Sequence, residues 1–163
     1  MNPFIVTAVF GFIILVKSVF GQKAKDEPNT VNHAGILKQL GPKNFVKGQT
    51  IYNNLCINCH GSDGKTPALP IARAFGTGEL KFGVDPYSMF QTLTKGNGLM
   101  GPQTWMTPQE RYDVIHYIRE KFMKPMHPKY QALKPQYLVG LPKVNAVVAT
   151  TKKVERDFGV STL

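Results

Sequence analysis

Two cysteines and a histidine stand together in this chain as Cys56-Ile57-Asn58-Cys59-His60. In a CxxCH spacing, two thiols can add across the vinyl groups of one haem while the adjacent imidazole reaches the iron as proximal ligand. The two intervening residues keep both sulfurs on one turn of backbone, so attachment holds ring, iron and ligand together. A CxxC pair can also close a redox disulfide or supply half of a zinc site. The first wants a βαβ setting and the second wants two further ligands nearby. The chain has 2 cysteines in all, and His33, His116 and His127 are remote from the motif, so a Cys2His2 site exists on paper only. Covalent haem c attachment is the reading that the motif favours.

The neighbouring elements must bring further groups to that haem. From Asn44 to Leu55 the apolar residues Phe45, Val46, Ile51, Tyr52 and Leu55 recur at helical intervals, which predicts a helix running into the motif. Gly48 and Tyr52 share a face of it. A helical glycine costs about 1 kcal/mol relative to alanine, so close passage of a second helix is the better reason for Gly48. After the motif, Gly61, Gly64, Pro67, Pro70, Gly76 and Gly78 leave no room for a long regular element and predict a loop over one haem edge. Pro70, in preference to Pro67, is expected to place the carbonyl that accepts the His60 Nδ1 proton and so fixes the tautomer.

Asp85-Pro86 reads as a helix start, with Tyr87, Met89, Phe90 and Leu93 on the helix and Gly96 ending it. These apolar residues should wall the haem pocket. Met89 is a rival for the iron, although beside Phe90 it reads first as core filler. Thr107-Pro108-Gln109-Glu110 is a second start, a capping box, and the stripe Val114, Ile115, Ile118 and Phe122 carries that helix to about Lys121 or Phe122. His116 points away from the stripe and is expected to face solvent. Met106 precedes the cap, where an apolar residue commonly staples onto the helix.

A length of 163 residues suits one domain with extensions. Residues 1–21 read as a signal peptide, with an apolar run from Pro3 to Val16 and a cut near Gly21. A short N-terminal anchor is the alternative, but the run falls short of the roughly 20 residues that span hydrocarbon. Residues 22–43 are expected to form a loose N-terminal extension pinned by Ile36, Leu37 and Leu40. Residues 125–163 are proline-studded yet contain Tyr130, Tyr137 and Leu138, so they should lie irregularly across the core, with a weak helix signal at 144–158. The formal net charge is +10, with small clusters at Lys23 to Lys25 and at Lys152, Lys153 and Arg156. Such an excess can steer an acidic partner or bind anionic lipid, but no basic block of the nucleic-acid kind is present.

Taken together, KGQTIYNNLCINCHGSDGK, TKGNGLMGP and TPQERYDVIHYIREKF resemble the class I monohaem cytochrome c family over about residues 44–124. The resemblance implies an all-α fold, a small helical domain wrapped around one covalently attached haem c. It implies Cys56 and Cys59 as thioether attachments, His60 as proximal ligand and a methionine from a glycine-containing loop as distal ligand. Gly96-Asn97-Gly98-Leu99-Met100 fits that loop, with Met106 as the alternative; Gly101 intervenes before Pro102, where the family usually has Met-Pro. A ligand on a glycine-rich loop can reach the iron, whereas Met106 is tied to a helix cap.

The resemblance further implies a one-electron carrier without catalytic residues. It would be exported to the periplasm or secreted, and would serve redox partners such as a dehydrogenase, oxidase or reductase. A haem enzyme or gas sensor with an open or labile distal site is the alternative, and an anchoring subunit of a larger oxidoreductase is a third. Trp105 and Tyr87 could donate to haem propionates or simply pack the pocket.

Overall fold

A computed structural model describes residues 31–143. The signal or anchor expected at 1–21, the helix signal at 144–158 and both small lysine clusters lie outside the described residues.

Seven α-helices follow in order among the described residues: α1 (His33–Lys38), α2 (Pro42–Ile51), α3 (Ile57–His60), α4 (Pro86–Lys95), α5 (Pro108–Ile118), α6 (Lys124–Met126) and α7 (Pro135–Val139). Wide π-helical turns, Tyr52–Cys56 and Arg119–Met123, join α2 to α3 and α5 to α6. The architecture is all-α, as expected.

Local chemistry sets the helix ends. Asp85 Oδ1 accepts from the backbone N–H groups of Tyr87 and Ser88, both at 3.1 Å, and so satisfies two donors that the first turn of α4 leaves unpaired. Gly96 stops α4 with φ at +77°, a conformation costly for a residue with a Cβ. At α5 the capping box is complete: Thr107 Oγ1 accepts from Glu110 N–H at 3.2 Å, and Glu110 Oε2 accepts from Thr107 N–H at 2.6 Å.

The central packing is α2 across α5. A Cβ placed on Gly48 would lie 2.0 Å from the Asp113 carbonyl oxygen, so the crossing requires glycine. Asn44 and Gln109 both donate to Asp113 Oδ1 at 2.8 Å beside this contact. One turn on, fully buried Tyr52 packs against the rings of Tyr117 and Phe122 at 5.3 and 5.2 Å. Val46 and Leu55, counted in the apolar pattern, are instead 59% and 46% exposed. Val46 lies off the Gly48–Tyr52 face. Before Leu55 the π turn resets the rotation, because the Ile57 N–H bonds to the Tyr52 carbonyl five residues back.

From residue 31 onward the N-terminal extension is more tightly built than a loose, pinned segment. It contains α1, and His33 is only 1% exposed, its Nδ1 2.8 Å from the Tyr112 hydroxyl and its ring edge-on to Tyr87 and Phe90. Val31 and Leu37 are buried with it.

After the second π turn, which buries both Phe122 and Met123, the chain crosses back over the loop before α4. The Arg119 guanidinium donates to the carbonyls of Val84 and Gln131 and lies over the Tyr130 ring, while the Tyr137 hydroxyl donates to Asp85 Oδ1 at 2.6 Å. The tail also contains α7 where the sequence suggests irregular chain, because Pro135 occupies a first-turn position that proline suits.

Candidate haem cleft

The end of α3, the loop after it, α4 and the loop after α4 enclose a cleft of about 460 Å³, a size usual for small-molecule and cofactor sites. Cys59 and His60 line it from α3, Met89 and Leu93 from α4, Met100 from the following loop, and Ile115 from α5.

His60 is oriented before any iron need be considered. Its Nδ1 lies 3.0 Å from the carbonyl oxygen of Arg73, so this nitrogen carries the proton and Nε2 keeps the lone pair that a metal would take. The acceptor is therefore Arg73 and not Pro70. The Leu69 N–H bonds to Cys59 O at 3.1 Å, the Ala72 N–H turns back to Leu69 O, and Pro70 is spent inside that turn, so Arg73 is the residue that returns to the histidine. Phe75 stacks on the imidazole with centroids 4.5 Å apart and in turn meets Tyr52 edge-on. Burial depresses the His60 pKa, opposed by the Arg73 hydrogen bond, and so favours the neutral, ligating form. Gly61, with φ at +75°, ends the segment, and its carbonyl accepts from the Tyr52 hydroxyl at 2.7 Å.

Cys56 is half-buried at the end of the π turn and does not line the cleft, as Cys59 does. Burial first, then Cys59, pushes the Cys56 thiol up to about 11. A redox CxxC works in the opposite sense, with a depressed thiol pKa. Among the described residues no group of three or more His, Cys, Asp or Glu side chains could hold a metal ion. The histidines that a zinc site would need are engaged elsewhere. His33 meets Tyr112, and His127 meets the Gly78 carbonyl and the Lys129 N–H. His116, expected in solvent, is half-covered by the edge of Phe45.

Met100 closes a tight turn. Asn97 and Met100 exchange both backbone hydrogen bonds, at 2.8 and 3.2 Å, with Gly98 at φ +61° inside. A Cβ on Gly96 would come within 2.6 Å of the Met100 carbonyl oxygen, so the loop folds directly onto the helix end. Met106 is buried and does not line the cleft; Met89 does line it, from within α4. Tyr87 and Trp105 do not line it either, and both find protein partners: Tyr87 Oη accepts from Gln91 at 2.6 Å, and Trp105 Nε1 donates to Gln103 Oε1 at 3.1 Å. Arg73, Phe75 and Gln103 went unnoticed in the sequence, since a lone arginine, phenylalanine or glutamine in a loop has no periodic or motif signature.

Residues 43–118 match the family model described as cytochrome C oxidase, cbb3-type, subunit III. That stretch is a c-type cytochrome domain. The matched stretch runs from the first turn of α2 to the last residue of α5 and includes both CxxCH and the Met100 loop, while α1 and the tail lie outside it. No curated protein and no solved structure matches the chain. A cytochrome c domain implies haem-based electron transfer. Among the described residues no helix is long and apolar enough to cross a membrane.

The residues present fit a haem. The cleft is walled mainly by aliphatic side chains, an oriented imidazole stands at one part of its wall and a thioether at another, and a thiol of the attachment motif opens onto it.

Proposed function

We propose that this protein is an exported one-electron carrier in which Cys56 and Cys59 hold one haem c as thioethers and His60 and Met100 are its axial ligands. One observation carries the reading: a nitrogen with its lone pair available, on His60, and a flexible thioether, on Met100, line the same apolar cleft from two separate elements. The haem supplies the ferric–ferrous couple. Arg73 holds the His60 proton at Nδ1, and the aliphatic wall keeps water out; a low-dielectric pocket and sulfur ligation both favour the reduced state. With His60 and Met100 both committed to holding the haem, small molecules would find no free place to bind and neither side chain would need to move on electron transfer. The apolar segment before Lys17 and the commitment of both cysteines to the cofactor support export, and the +10 charge favours an acidic face on the redox partner.

The test is Met100→Ala. The haem-loaded parent should be low-spin, with the weak far-red band of methionine-bound ferric haem, and the variant should become high-spin and bind carbon monoxide. A variant that keeps the low-spin spectrum and the far-red band would overturn Met100 ligation in favour of Met106, and a high-spin parent that binds carbon monoxide would mean an open distal site.

A further inference from the structure

We propose that Gln103 is the positioning residue that holds the Met100 loop closed over the cleft, with Trp105 as its support; the inference rests on Met100 being the distal ligand. Gln103 is bonded at all four of its polar positions. Its backbone N–H donates to the Leu93 carbonyl at 2.7 Å, and its own carbonyl accepts from the Met106 N–H at 3.1 Å. In the side chain, Nε2 donates to the Gly101 carbonyl at 2.7 Å and Oε1 accepts from the Trp105 indole at 3.1 Å. The two side-chain partners agree on one amide orientation, since a carbonyl can only accept and an indole N–H can only donate. A single residue thus ties α4, the Met100 loop and the approach to α5 together.

The need for such a tie is written in the loop. Gly101 stands between Met100 and Pro102, and a glycine there adds backbone freedom next to the ligand. The inner turn closes itself through Asn97 and Met100, and the chain leaving it is held at the Gly101 carbonyl by the Gln103 amide and at the Gln103 N–H by the Leu93 carbonyl. Trp105, 43% exposed, keeps the amide from rotating away. A sulfur–iron bond is easily displaced when its loop can swing out, so the clamp sets how readily an external ligand competes.

The experiment titrates the haem-loaded ferric protein with imidazole and records the far-red band for the parent, Gln103→Leu, Trp105→Phe and the double variant. Loss of one or two net hydrogen bonds should raise imidazole affinity about fivefold in Gln103→Leu and about twofold in Trp105→Phe. The double variant should match Gln103→Leu, since the indole acts through the amide. Thr107→Ala, which weakens the α5 cap without touching the clamp, should lower the unfolding midpoint and leave imidazole affinity unchanged. Parent-like affinity in Gln103→Leu, or an equal rise in Thr107→Ala, would overturn the clamp. Met100→Ala separates the two failures. If it loses the low-spin spectrum while Gln103→Leu stays parent-like, the clamp alone falls; if it keeps that spectrum, the ligand assignment falls and takes the clamp with it.

Discussion

Asp85 shows how much one side chain can do in this protein. Its carboxylate caps α4 and also accepts from the Tyr137 hydroxyl, so the start of the helix and the returning tail share one charge. Burial raises its pKa, but hydrogen bonds from Ser88, Tyr137 and the Tyr87 and Ser88 backbone outweigh that and leave it below the usual carboxylate range. A folded pKa below the unfolded value of about 3.9 means that the stabilisation is present above that pH and disappears as pH falls through the folded value. Asp85→Asn keeps a competent cap. The parent should therefore be more stable than Asp85→Asn by about 1 kcal/mol near neutrality, a charged hydrogen bond discounted for partial exposure, and the gap should close in acid. Urea unfolding of both proteins at neutral and strongly acid pH reads this; a gap independent of pH would show that the charge is not its source. The cap itself is legible in the sequence as Asp-Pro before an apolar stretch, but its second partner, 52 residues away, is not.

At the scale of elements, α2, α4 and α5 follow from local signals, because caps, prolines and helical periodicity all act within a few residues. The two π turns do not. Each inserts one residue into a turn, and the gain comes from distant packing, as when Phe122 and Met123 are both drawn into the core. Gly48 is intermediate: its presence in a helix announces a close neighbour, and the structure supplies the neighbour as the Asp113 backbone and the Tyr117 Cβ, the latter 2.9 Å from where a Cβ on Gly48 would stand. Gly48→Ala should gain about 1 kcal/mol of helix propensity and lose more than that as the two helices are forced apart. A net destabilisation of about 2 kcal/mol by chemical denaturation is expected, and a stabilised variant would show that α2 and α5 can separate freely.

For the whole molecule, the family match stops at Ile118, yet the described chain goes on to wrap its own domain. Arg119, buried one residue past that limit, holds the wrap through the Val84 and Gln131 carbonyls and the Tyr130 ring. Arg119→Met keeps most of the stem volume and leaves two carbonyls without their donor. It should cost about 2–4 kcal/mol. Hydrogen exchange should quicken first at the tail amides, such as Tyr137 N–H, and last in α2 and α5; uniform quickening throughout would mean that the tail is no separate unit.

The sequence by itself determined the CxxCH motif, the helical class and the glycine-containing loop that carries Met100, because each is set by residue type and spacing over short range. Only the tertiary structure decided that Arg73 and not Pro70 orients His60, that His33 belongs to the core, and that Gln103 joins α4, the Met100 loop and the approach to α5. Those outcomes depend on which backbone carbonyl or side chain a long loop brings back into reach. Closure of a loop leaves no periodic trace in the residues that form it.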